Sequence, residues 1–120
     1  MRVDHRFFSV DGLRLHGLSF GGEGHPILLL HGVTGHGWMW HDVAGQLTLW
    51  GQVHALDLRG HGDSEWSVAG DYGTTALADD VAAVIEQLGA AADVVGLSWG
   101  GLVGMRLAHR HPGLVRRLAV

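Results

Sequence analysis

Strand and helix patterns that alternate along 120 residues predict an α/β domain: a mostly parallel sheet with helices on both faces, opened by an N-terminal antiparallel hairpin. Three observations carry this expectation. Two apolar-rich runs, Phe7 to Val10 and Leu13 to Phe20, flank Asp11-Gly12, a dipeptide that tolerates the positive φ of a tight turn, so they should pair antiparallel. Three short continuous apolar runs follow, Ile27 to Leu30, Val53 to Leu58 and Asp93 to Leu97, as expected of central strands covered on both faces. Helical periodicity separates those runs.

In the hairpin, the alternation of the second run is imperfect beyond Gly17, and one of its faces is expected to meet water. A helix is predicted over Met39 to Leu49, with Gly45 weakening it by about 1 kcal/mol relative to alanine. The clearest helix is Ala76 to Leu88. There Leu77, Val81, Val84, Ile85 and Leu88 form one stripe while Asp79, Asp80, Glu86 and Gln87 face water; Thr74 or Thr75 is placed to cap its start, and Gly89 to close its end. A third helix runs from Trp99 to His109 and stops before Pro112, and Ala119-Val120 reads as the start of a further strand. Neither a repeat nor a linker divides the chain, so residues 1–120 are read as part of a single domain.

Composition narrows the function. A hydrophobic fraction of 47% and a charged fraction of 17% describe a core-forming globular chain. The formal charge is −4, and the eight bases, all arginine, are dispersed, which argues against a nucleic-acid partner. The longest apolar stretch, Ile27 to Leu30, falls far short of the roughly 20 residues that span a bilayer. The opening residues lack the apolar core of a signal peptide, so a cytoplasmic location is expected. With no cysteine, thiolate metal sites are excluded. Of the ten histidines, His54, His61, His109 and His111 invite a metal reading. A helical zinc pair needs a spacing of four, whereas His109 and His111 are two apart, and no metal site is expected.

The chemistry concentrates in Gly96-Leu97-Ser98-Trp99-Gly100, the pattern of a nucleophile elbow, which holds a serine on a sharp turn between strand and helix. Glycines two residues either side let the two backbones approach, and the turn projects the hydroxyl. The bare pattern is weak; its setting, after an apolar strand and before Leu102, Val103, Met105 and Leu107 at helical spacing, is what the motif demands. A second loop, His31-Gly32-Val33-Thr34-Gly35, follows the strand Ile27 to Leu30. Parallel strands carry sites at their carboxyl ends, so this loop and Ser98 should meet on one rim. There the amides of Val33 and Trp99 are candidates to hold the negative oxygen of an acyl-transfer intermediate. His31 is expected to anchor its loop by hydrogen bonding rather than to take a proton.

His31-Gly32, the run Asp57-Leu58-Arg59-Gly60-His61-Gly62-Asp63-Ser64 and the serine elbow together resemble the α/β-hydrolase superfamily in order and spacing, over essentially the whole chain. The run from Asp57 to Ser64 is similar to the signature after the fourth strand in the branch of esterases, lactonases, carbon-carbon hydrolases, cofactor-free haloperoxidases and epoxide hydrolases, where it shapes a rim loop. The resemblance implies an eight-stranded mixed sheet and a triad in the order serine, acid, histidine. Only about six strands fit in this chain, so it is expected to be an incomplete α/β-hydrolase fold, with acid, histidine and lid lying beyond Val120 and little turnover from the 120 residues alone. Trp99 is a departure, since tryptophan after the nucleophile is frequent in relatives that use aspartate. Serine favours attack on a carbonyl, hence a small-molecule ester or lactone substrate and no cofactor. Two other readings stand beside it: a ligand-binding module without chemistry, and a cofactor-free haloperoxidase or perhydrolase. The sequence assigns no oligomeric state.

Overall fold

The computed structural model describes residues 2–120. Its strands are β1 (Asp4–Val10), β2 (Leu13–Gly21), β3 (Pro26–Leu30), β4 (Gln52–Leu56), β5 (Ala92–Gly96) and β6 (Val115–Ala119); its helices are α1 (His41–Leu47), α2 (Thr74–Leu88) and α3 (Trp99–Arg110). The six strands form one sheet in the order β1-β2-β4-β3-β5-β6. β1 with β2 and β2 with β4 are antiparallel, and the remaining pairs are parallel. This is the mixed, mostly parallel α/β architecture that the pattern of runs predicts.

Strand order decides where the helices lie. From β3 the chain steps outward to β4 through α1, then passes back over β3 to β5 through α2 and onward to β6 through α3. Crossovers of one hand that travel in opposite directions fall on opposite faces of a sheet. Accordingly Ala44 of α1 packs on Ile27, Leu29, Val53 and Ala55, while Val81 and Ile85 of α2 and Val103 and Leu107 of α3 share the other layer with Leu28, Leu30, Leu56 and Val94. β3 is fully buried, which is why its sequence reads as an unbroken apolar run. The direction of travel reverses between β3 and β5, and the carboxyl ends of strands at such a switch point form a crevice.

Several elements differ in detail from the sequence reading. The run Val53 to Leu58 is strand only as far as Leu56, because Asp57 and Leu58 already turn into the rim loop. The helix expected over Met39 to Leu49 is split into a 3-10 turn, Gly37–Trp40, and the seven residues of α1. The middle of β2 is dry on both faces, since Leu15 joins one core layer, Leu18 joins the other and His16 is buried under hydrogen bonds. The last strand spans Val115–Ala119 rather than starting at Ala119; the adjacent exposed Arg116 and Arg117 conceal it in the sequence. In α2 neither Thr74 nor Thr75 caps the helix. Gly73 occupies that position with extended backbone and no side-chain bond, and Gly89 closes the helix at φ 90° as expected.

Asp80 is the largest correction. It does not face water but lies buried in α2, where its two oxygens accept bonds from Nε and Nη2 of Arg59, each at 2.7 Å. A lone buried carboxylate would be costly, and the two-pronged guanidinium partner is what allows it there.

His54 of β4 faces the α2 layer among Phe8, Leu28, Leu56 and Val84, and its Nε2 has no hydrogen-bond partner among the described residues. Burial, with Arg6 nearby, lowers its pKa to about 4. The unfolded chain therefore binds the extra proton from about pH 6.5 downward while the folded chain resists it, so stability falls as pH drops across that window, by about 3 kcal/mol in all. His54→Leu should flatten this acid slope in urea melts at pH 7 and pH 4.5. Equal slopes in variant and parent would show that His54 does not set it.

Candidate active site

Three rim segments converge at the β3/β5 switch point: the loop after β3, the loop after β4, and the turn from β5 into α3. Leu30 and Gly96 are register partners, and the Leu97 amide donates to the Leu30 carbonyl at 3.0 Å, so the first and third segments leave the sheet side by side.

The turn into α3 bends at Ser98, whose φ of 55° and ψ of −115° are uncommon for a residue with a side chain. Its neighbours show why the bend is so tight. A Cβ on Gly96 would lie 2.6 Å from the Gly101 nitrogen, and one on Gly100 would lie 2.5 Å from the His31 carbonyl oxygen. Both positions therefore exclude side chains, and α3 can rest directly on the end of β3. Ser98 itself is exposed.

The loop after β3 sits against this bend. Gly32 faces the Ser98 side chain, a Cβ there falling 3.7 Å from that of Ser98, and the Gly35 amide closes a turn onto the Gly32 carbonyl at 3.0 Å. A cleft of about 480 Å³ opens between them, lined by Val33, Thr34, His36, Met39, Leu97 and Ser98. Among the described residues, the amides of Val33 and Trp99 donate to no protein acceptor, and no histidine or carboxylate hydrogen-bonds the Ser98 hydroxyl. Ser98, Val33 and Trp99 thus lie together, as the spacing of the two motifs requires.

His31 is buried at the base of its loop with both ring nitrogens engaged. Nδ1–H donates to the Gly32 carbonyl at 2.7 Å, and Nε2 accepts from the Leu58 amide at 3.0 Å. Burial holds its pKa below the ordinary histidine value, against the bond to Gly32, which raises it. A neutral ring with no free lone pair anchors the loop and has no capacity to accept a proton from serine.

The loop after β4 is organised by Asp57. One oxygen accepts from the Gly37 amide at 2.6 Å; the other accepts from the Asp63 amide at 3.0 Å and from His16 Nδ1 at 2.7 Å. Burial pushes this carboxyl up, but the two amides and the His16 ring outweigh it and hold it below the usual carboxylate range. Ser64 completes the knot: its Oγ donates to the Asp57 carbonyl and accepts from the His16 amide at 2.8 Å. Gly62 is forced by the same knot, since at φ 53° any Cβ would strike the Asp57 carboxylate. A ligand atom from each of His16, Asp57 and Asp63 falls within 4.8 Å of the others, a spacing that could suit a cation. Here the Asp57 charge is already met by hydrogen bonds. His111 lies elsewhere, bonded to Asp79 at 2.8 Å.

The sequence reading assigns no role to His16 and treats His61 only as a metal candidate and a member of the Asp57-to-Ser64 run. A buried histidine inside an apolar strand was the available signal for the first, and its place in the Asp57-to-Ser64 run for the second. A cleft of about 630 Å³ around Arg59, Asp71, Asp79 and Asp80 is not lined by Ser98.

An α/β sheet with a serine elbow at its switch point defines a class of hydrolases, and comparison agrees. The chain belongs to the alpha/beta hydrolase fold family, whose model matches residues 25–120. It is 37% identical over 114 residues to N-formylmaleamate deformylase of Pseudomonas putida, covering 93% of this chain and 42% of that protein. Against the pimeloyl-[acyl-carrier protein] methyl ester esterase of Aeromonas salmonicida it is 37% identical over 91 residues, 76% of this chain and 35% of that one. Among solved structures, the epoxide hydrolase CorEH superposes with a TM-score of 0.91 at 35% identity, over 98% of this chain and 41% of that one. The chain thus spans about two-fifths of the length of such relatives.

The close approach at Gly100 makes a direct prediction. Gly100→Ala should destabilise the fold by about 2 kcal/mol or more, because a backbone carbonyl cannot step aside for the methyl group. Gly113→Ala, where nothing lies within 4 Å, should change stability by less than about 1 kcal/mol. Matched denaturation midpoints for the two variants would contradict this account of the elbow.

Proposed function

We propose that the whole protein is a serine hydrolase that cleaves a carboxylic ester or lactone through an acyl-enzyme on Ser98. The observation that carries the reading is an exposed serine held at positive φ, at the switch point of the sheet, beside two amides that meet no protein acceptor among the described residues. In the proposed reaction Ser98 Oγ attacks the carbonyl carbon, and the carbonyl oxygen, now negative, accepts hydrogen bonds from the Val33 and Trp99 amides. The first turn of α3 adds the positive end of its dipole at the same place. The hydroxyl proton passes to a histidine outside these 120 residues and from it to the leaving alcohol, and water then releases the acid.

Relatives support the class and divide on the substrate. A methyl ester esterase and a deformylase act, by their names, at carbonyl carbons, whereas an epoxide hydrolase opens a strained ring. A serine hydroxyl suits the former, because its acyl ester is readily hydrolysed again.

The whole protein should release acid from a short p-nitrophenyl ester, and Ser98→Ala should lower kcat/KM by about a thousandfold or more. Turnover that survives the substitution would exclude Ser98 as the nucleophile. The 120 residues by themselves should label only slowly with a fluorophosphonate; rapid labelling of Ser98 there would mean that a base within the chain activates it.

A further inference from the structure

His61 is in ring contact with both segments that carry the two amides without a protein acceptor among the described residues. Its imidazole centroid lies 5.0 Å from that of His31, at the base of the Gly32-Val33 loop, and 5.5 Å from the Trp99 ring, at the start of α3. The ring is itself held in place. Nδ1–H donates to the Arg59 carbonyl at 3.0 Å, and the turn that carries it is closed by the His61 amide on the Leu58 carbonyl at 2.9 Å and by the Ser64 amide on the His61 carbonyl at 3.0 Å. Leu58, in the same turn, donates to His31. The loop after β4 therefore meets His31 twice, once through a hydrogen bond and once through a tilted ring contact at 50°, and meets Trp99 through a second tilted ring contact at 41°.

From this wedge we infer that His61 is a positioning residue, which fixes the Val33 and Trp99 amides relative to one another without touching substrate. The inference rests on the serine-hydrolase reading of the site. Two donors on separate loops stabilise a developing oxyanion only if their spacing is set before the reaction, and displacement by about an ångström is enough to lose much of that stabilisation. Backbone contacts at Gly32 and Gly100 set the distance of each loop from Ser98. The contacts of His61 with His31 and with Trp99 add a side-chain link between the base of the Val33 loop and the helix start. The contribution belongs to the ring as a packed body, so another flat ring of similar size should serve.

The test uses the whole protein with a p-nitrophenyl ester. His61→Ala should lower kcat by about 10- to 100-fold while KM stays within about twofold, and His61→Phe should recover most of kcat. Amide resonances of Val33 and Trp99 should shift or broaden together in His61→Ala and return in His61→Phe, a readout independent of turnover. An unchanged kcat in His61→Ala, or equal losses in both variants, would overturn the inference, as would undisturbed amide resonances. If His61→Ala does not fold, His61→Phe decides, with a retained kcat supporting the wedge and a lost one refuting it. Turnover that persists in Ser98→Ala would instead remove the reading beneath it.

Discussion

The architecture of the rim depends on one close approach. The first turn of α3 lies on the carbonyls that end β3, with no room for a β-carbon at Gly100 and none at Gly96 on the other side of the bend. That contact forces the chain to reverse within a few residues, so Ser98 is driven to positive φ and its side chain outward. It also brings the loop after β3 against the bend at Gly32, so that a cleft forms between them rather than a solid packing layer. The two-faced core supplies the rigidity this requires: β3 and β5 are clamped between α1 on one side and α2 with α3 on the other.

Around the elbow, polar groups are used as fasteners. Asp57 draws the Gly37 and Asp63 amides and the His16 ring to one carboxylate, tying the N-terminal hairpin to two rim loops. Arg59, two residues on, reaches α2 through Asp80 and also donates to the carbonyl of Asp71, ahead of that helix. A single stretch after β4 thereby joins β2, α2 and the loop after β3. Such satisfied networks specify one arrangement of loops that hydrophobic packing alone would leave loose, because an alternative arrangement would strand buried charge.

What could be read from the sequence follows from the range of each interaction. Apolar periodicity and turn residues are local, and they identified the hairpin, the buried strands, the core stripe of α2 and the elbow with its glycines. The errors lie where a distant partner reversed a local preference. Asp80 reads as a solvent residue because nothing within its helix shows Arg59, and His16 reads as polar punctuation in a strand because Asp57 lies 41 residues away. β6 reads as starting too late because the adjacent exposed Arg116 and Arg117 conceal the pairing of its backbone with β5. Ser98, Val33 and Trp99 were legible as neighbours because strand order and a known motif place both loops at one end of the sheet. The three-ring contact through His61 was not, since ring packing leaves no periodic trace.

The backbone angle at Ser98 also limits which side chains the bend could host over evolutionary time. At φ 55° and ψ −115° the residue lies outside the left-handed helical region where the commoner positive-φ side chains sit, so a replacement there inherits the same strained backbone. A substitution at this position therefore changes the chemistry of the projecting side chain without relieving the bend, because the close approach of Gly96 and Gly100 on either side sets the strain.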